Sequence, residues 1–270
     1  MKRTAIAFLS LLATQTIFAE GVKGKGDWMM FYYKNPAPEQ LVAEVRAMTK
    51  AGALKDPNAQ PPTVAFLSRV MAKNPTKINK WLEELGDLEK NERSVVFAAA
   101  WYSDTDEARA FFKKKGLQDY LDQEAPAILE MEVKDPSTLD MLWGYFMATG
   151  DEAPIRRIIS AFALSKHAGA VERFKDSAKT EEDRKAAYFD ATFQSAQWSL
   201  ESNCRQHPLV LKHAEAIFAD PKLPKDQSLW LGVVLSKVKP EKYHVKIGED
   251  DGKEKGKGDK KVAKPAKPSR

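Results

Sequence analysis

The densest group of chemically capable side chains lies in ESNCRQHPLVLKH, where Glu201, Cys204, His207 and His213 fall within thirteen residues. A thiolate and two imidazoles are soft ligands that suit zinc. Cys204, His207 and His213 therefore form the candidate metal set, provided a tight helical turn brings them together. A thiolate–imidazole pair is also the makings of a nucleophile. Against both readings, a lone cysteine is usually an inert core residue, and His207 directly before Pro208 occupies a helix-capping position. A second group is the turn GDEAPIRR, with Asp151, Glu152, Arg156 and Arg157. Guanidinium groups clamp carboxylates in bidentate fashion, so this turn is a candidate binding site. The plainer account is helix-end charge, with acids favoured at the N-terminus and arginines paired to neighbours. The third group is GDWMMFYYKNPAPEQ, in which Trp28, Tyr32 and Tyr33 either form an exposed binding patch or cover the end of the core.

No other pattern adds chemistry. The chain has no G-x-S-x-G elbow and no H-E-x-x-H helix, and its glycines do not fit a P-loop or a dinucleotide turn. No catalytic residue and no cofactor are assigned on this basis, and the reading leans away from an enzyme.

The elements that must position these residues read as helices throughout. PEQLVAEVRAMTKAG starts at Pro38, gathers Leu41, Val42, Val45 and Met48 on one face and stops at Gly52. PPTVAFLSRVMAKNP opens on a proline pair and ends before Pro75. TDEARAFFKKKG has Thr105 as cap, acids in its first turn, lysines in its last and Gly116 beyond it, each matched to the helix dipole. DPSTLDMLWGYFMATG opens on Asp135 with Pro136 at the first helical position. Strand-like alternation is absent, so the expected class is all-α.

Two turns echo each other. AAAWYSDTDEARAFF and GYFMATGDEAPIRRII both run from an aromatic-rich helix through Ser103 or Gly150 to an aspartate, then acids, then Arg109 or Arg156. The separation is 47 residues. Helix starts near Pro38, Lys90, Ser137 and Asp183 extend this into four three-helix units. Second helices begin near Pro62, Thr105, Ala153 and Pro208, and third ones near Thr76, Leu117, Ala168 and Lys225. Units of this length resemble those of armadillo- and HEAT-type helical repeats, and Leu139, Leu142, Phe146, Gly150, Asp151, Ile155 and Ile159 are spaced like a tetratricopeptide helix pair. The resemblance implies a helix-turn-helix array of α-solenoid type, with one face used for recognition. An irregular helical bundle fits the same helices. Trp101, Trp143 and Trp198 are expected to fill the space between layers.

The ends of the chain bear on compartment. MKRTAIAFLSLLATQTIFA has the basic start, short apolar core and small-residue site of a secretory signal, with cleavage expected after Ala19. Its apolar core is shorter than the ~20 residues that span a bilayer. Residues 20–37 are the aromatic cap segment, residues 38–239 the helical domain, and residues 240–270 a tail rich in Lys, Pro and Gly that is expected to be disordered. Of the formal charge of +5, the leader carries +2 and the tail +4, which leaves residues 20–239 at −1. A nearly neutral body argues against nucleic acid as partner. The Lys-rich tail suits anionic envelope surfaces. With one cysteine in the chain, no internal disulfide can form, and stability must come from the core.

The sequence thus points to a periplasmic or secreted, bacterial-type scaffold or binding protein whose partner is a protein or an envelope polymer. An envelope hydrolase, a metal-dependent enzyme at Cys204, His207 and His213, and a carrier of an apolar small ligand are the alternatives.

Overall fold

The computed structural model describes residues 27–174 and 180–245, so the leader, most of the tail and residues 175–179 lie outside it. The described residues form twelve α-helices with short 3-10 turns and no strand, as the all-α reading expects. The chain divides into two compact units, Met1–Ile158 and Ile159–Arg270.

In the first unit, α1 (Asp27–Phe31), α2 (Leu41–Lys50), α3 (Gln60–Ala72), α4 (Ile78–Glu84), α5 (Lys90–Tyr102), α6 (Asp106–Lys115), α7 (Pro136–Thr149) and the start of α8 (Glu152–Ser160) follow in order. The centre is α3. Val64, Ala65, Phe66, Leu67, Val70 and Met71 are buried on all its sides, as expected of a helix apolar all round. α3 packs most extensively against α7 and then α5. The approach to α7 is close enough that a Cβ on Gly144 would overlap the Pro62 carbonyl. Arg69 of α3 donates to the Tyr102 carbonyl at the end of α5, and its guanidinium lies 5.3 Å from the Tyr145 ring of α7. A strict repeat stack brings together only neighbouring layers. Here the second helix of the first 47-residue unit packs on the first helix of the third.

Local chemistry sets the helix ends where the sequence placed them. Thr105 accepts from the Ala108 N–H at 3.3 Å, and Asp135 accepts from Thr138 N–H at 2.8 Å ahead of Pro136. Gly52, Gly116 and Gly150 take the left-handed conformation that ends or separates helices. The third helix near Leu117 is reduced to a 3-10 turn, Gln118–Tyr120.

In the second unit, the 3-10 stretch Ala161–His167, α9 (Ala170–Phe174), α11 (Pro208–Phe218) and α12 (Lys225–Val238) all pack on α10 (Glu181–Gln206). At 26 residues α10 is twice the length of α5, which has 13, so these two supposed counterparts differ in kind. It opens on a capping box between Thr180 and Asp183. Phe162, Phe193 and Trp230 form an edge-to-face chain at 6.2 and 5.0 Å through its core side. Buried Asp190 accepts from the Val171 N–H at 3.0 Å, near the start of α9.

Three expectations change. Trp143 is buried, but Trp101 is half-buried and Trp198 is 41% exposed. Phe193, Ala196, Leu200 and Cys204 define the inner face of α10, and Trp198 falls outside that row. Packed chain also continues past residue 239, as a turn beyond the last helix. Lys239, Lys242 and the Tyr243 hydroxyl all donate to Glu215 Oε1, at 3.2, 3.0 and 3.2 Å, and the Tyr243 ring meets Phe218 edge-on at 5.7 Å. Residues 240–245 therefore belong to the second unit. The expected disorder of the remaining tail concerns residues 246–270, outside the described range, as does the cleavage site at Ala19.

Candidate functional site

The α5–α6 turn shapes a cleft. Tyr102 ends α5, Ser103 continues in right-handed conformation, and Asp104 turns the chain at φ 53° before Thr105 caps α6. Among the described residues Asp104 is the one non-glycine with positive φ, a conformation that aspartate tolerates better than most residues. Its carboxylate receives the Arg109 guanidinium, one turn into α6. The loop after Tyr120 returns over α5, where the Trp101 Nε1–H donates to the Gln123 carbonyl at 3.2 Å. Tyr120 stacks on Phe112 with centroids 4.6 Å apart and an interplanar angle of 15°. Trp101, Asp104, Arg109, Phe112, Tyr120 and Ala125 line a small cleft of about 10 Å³. That is far below the roughly 300–1,000 Å³ of a site for drug-sized ligands and is room for about one water molecule, so the cleft is a surface feature and encloses no ligand ring.

The α8 turn, where the sequence placed its charged site, is arranged otherwise. Asp151 is exposed, and its N–H donates to Thr149 Oγ1 at 3.2 Å. Arg156 pairs with Glu152 at 3.0 Å, four residues earlier on the same helix. Arg157 donates to the Met131 carbonyl at 2.6 Å and so holds the segment before α7. Both arginines are engaged within the protein, as the helix-end reading expects, with the Arg156–Glu152 pair still partly exposed.

The aromatic segment packs on α3 and α7. Trp28, Tyr32 and Phe66 meet edge-to-face at 5.0 to 5.3 Å, and Trp28 Nε1–H donates to the Ala37 carbonyl at 3.2 Å. Tyr32 is buried, and burial, then Glu39, pushes its hydroxyl up to about 12. Tyr33 packs on Phe146 at 5.1 Å, and its N–H donates to the Met147 carbonyl at 3.0 Å. Tyr32 is thus occupied by packing on Trp28 and on Phe66, midway along α3.

Cys204, His207 and His213 do not converge. Among the described residues no three His, Cys, Asp or Glu side chains are placed to hold a metal ion. Cys204 and His207 are buried, whereas His213 lies on the half-buried side of α11. The Cys204 thiol is pushed up to about 12, first by burial and then by Glu215, with Arg205 opposing. It therefore remains protonated at neutral pH, unsuited to attack or to ligation. His207 bridges α10 and α11 through its backbone, its N–H bonded to Asn203 and its carbonyl to Leu211. The helix-turn geometry expected of this stretch exists, but it is built for packing.

One carboxyl has the raised affinity for a proton that a general acid needs. Asp140 on α7 is pushed up to about 7 by burial and then by Asp135. Asp135, however, is the cap of the same helix, with Oδ1 held by Thr138 N–H and Oγ1. The two carboxyls do not face each other across a cleft, as a hydrolytic pair requires.

The α5–α6 residues appear in the sequence only as the first member of the echo. Asp104 and Arg109 were visible there, but the cleft depends on the loop at Gln123, about twenty residues away, which no local pattern announces. Comparison with known families, with curated proteins and with solved structures finds no match.

Proposed function

We propose that the mature chain is an exported binding protein of the bacterial cell envelope, with the α5–α6 cleft as its recognition site. The observation that carries this reading is the cleft itself, where an anchored indole and an Asp–Arg pair open to solvent on a helical scaffold. Too small to enclose a ligand, this surface supports the reading as a place for a partner to rest, where an aromatic ring and a charged pair lie side by side. The compartment follows from the leader, whose basic start, apolar core and Ile17-Phe18-Ala19 end fit cleavage after Ala19. The Lys-rich residues 246–270 add an electrostatic hold on anionic envelope material. Residues 20–239, at net −1, supply the selectivity.

The test is expression from the native leader, followed by fractionation, mass determination and crosslinking. The full mature chain is compared with one ending at Val245, since residues 240–245 are part of the fold. Expected is a chain beginning at Glu20 in the envelope or periplasmic fraction, crosslinked to envelope polymer or to a protein bound to it, with weaker retention after truncation. A chain that keeps its leader and stays in the cytosol overturns the proposal.

A further inference from the structure

We propose that residues 239–245 form a latch on the second unit, which phosphate groups of an anionic surface open by drawing Lys239 and Lys242 away from Glu215. This rests on the reading of the Lys-rich tail as an electrostatic hold, and adds what that hold does to the fold. α12 ends at Val238 and Pro240 follows, so the chain leaves the helix and reaches α11 as a turn. The backbone bonds of this turn, from the Lys242 and Tyr243 N–H groups to the Lys239 carbonyl, are internal to it. Side chains fasten it to the helices. Lys239, Lys242 and the Tyr243 hydroxyl converge on one oxygen of Glu215, and the Tyr243 ring meets Phe218. Val245 lies over Gly232 of α12, its Cγ2 2.9 Å from the place a Cβ would take.

A competing anion can undo this fastening. Lys242 is exposed, and Lys239 and Glu215 are half-buried, so the ion pairs stand at the edge of solvent. An ammonium is a point charge with rotatable donors, and it changes partner without the planar match that a guanidinium needs. A phosphate oxygen offers it the same charge-assisted bond, while Glu215 and the phosphate repel each other, which disfavours sharing. The tail sets the supply. Residues 246–270 hold nine Lys or Arg against five Asp or Glu, and Lys246 is at most ~14 Å of chain from Lys242. A surface that holds the tail therefore keeps its phosphates at high effective concentration beside both lysines. α10 and α12 are joined differently: the Arg205 guanidinium donates to Glu201 and to the Lys237 carbonyl, so the helices stay together when the turn lifts. Opening uncovers Phe218 and the Gly232 face of α12, an apolar floor that the closed latch covers.

The experiment is hydrogen–deuterium exchange of the mature chain, residues 20–270, read on residues 239–245 and on α11 and α12. It is run alone, with phosphatidylglycerol–phosphatidylcholine vesicles, with pure phosphatidylcholine vesicles and with free polyphosphate, and cosedimentation records vesicle binding. Expected is exchange in 239–245 about tenfold faster with the anionic vesicles and unchanged with the neutral ones, with protection in α11 and α12 retained. A gain with polyphosphate as well assigns the latch to phosphate of any source, and a gain with vesicles alone assigns it to lipid headgroups. Glu215→Gln should exchange fast in 239–245 with no anion present and gain little more from vesicles. Lys242→Gln, at an exposed position, should do the same in part and guards against misfolding of Glu215→Gln. Slow exchange in 239–245 while the chain sediments with anionic vesicles overturns the latch and leaves the tail's hold standing. Parent-like exchange in both variants, or equal loss of protection throughout α11 and α12, also overturns it. No sedimentation and no exchange response with either anion overturns latch and hold together, while the fractionation decides the compartment without any vesicle.

Discussion

The two echoed turns differ in what their arginines meet. In the α5–α6 turn, Arg109 reaches back to the aspartate that turns the chain, and the pair stays at the surface beside Trp101. In the turn before α8, Arg156 is absorbed by Glu152, while Arg157 reaches the Met131 carbonyl and fixes a distant segment. The backbone differs as well. The left-handed residue is Asp104 in one and Gly150 in the other, positions one step apart when the sequences are aligned on Ser103 and Gly150. Three residues join α5 to α6 and two join α7 to α8. Similar sequence at a turn fixes the helix ends, and the segment returning over it decides whether it becomes a cleft or a joint.

The largest test removes the frame that holds both turns. Gly144→Val should clash with the Pro62 backbone where α3 meets α7. Overpacking of this kind costs about 1–3 kcal/mol or more, and backbone on the far side gives little room. A loss near the top of that range is expected in chemical denaturation, and an unchanged midpoint would mean that α3 and α7 are not so close.

Next comes the contrast between arginines. Arg157→Ala should cost about 1.5–3 kcal/mol, the range for a hydrogen bond from a charged donor, because the Met131 carbonyl loses its partner. Arg109→Ala breaks an exposed pair and should cost less than about 1 kcal/mol. Equal costs would erase the distinction between joint and cleft.

The backbone gives a smaller contrast. Gly150→Ala places a Cβ at φ 71° and should cost about 1–2 kcal/mol. Asp104→Gly relieves the same restriction at φ 53° and offsets the lost exposed pair, so stability should stay within about 0.5 kcal/mol.

The last contrast is one of pH. Asp140 on α7 stands 47 residues after Arg93 on α5, a half-buried acid against a cation that donates to the Gly86 and Leu88 carbonyls. With its carboxyl raised to about 7 in the native state against 3.8 ordinarily, the folded chain holds a proton there that the unfolded chain releases. Its contribution is therefore fully present below about pH 4 and is lost as pH rises to about 7. The stability difference between Asp140→Asn and the parent should shift in favour of the variant across that window. A pH-independent difference would place the Asp140 carboxyl in water.

Much of this architecture could be read locally. Thr105, Asp135, Gly52, Gly116 and Gly150 mark helix ends because capping depends on one or two neighbouring residues. The role of α3 was legible in principle, since PPTVAFLSRVMA is apolar on every side, the pattern of a central helix. The 47-residue spacing obscured it, because regular helix starts do not say which helices pack together. The cleft was less legible still. Ser103-Asp104 and Gly150-Asp151 look alike, and only the distant Gln123 and Met131 carbonyls separate them. At Cys204 and His207 the residue types suggested a metal, and burial at the junction of α10 and α11 made them packing.

The chain has one sulfhydryl, at Cys204, and it is buried and held protonated in the second unit. It is therefore a built-in chemical clock. A thiol-specific label can react there only as fast as the second unit opens, so the labelling rate follows that unit's opening alone, with no engineered probe. A variant that loosens only the first unit, such as Gly144→Val, would leave the clock running at its old pace if the two units open independently, and would quicken it if they open together.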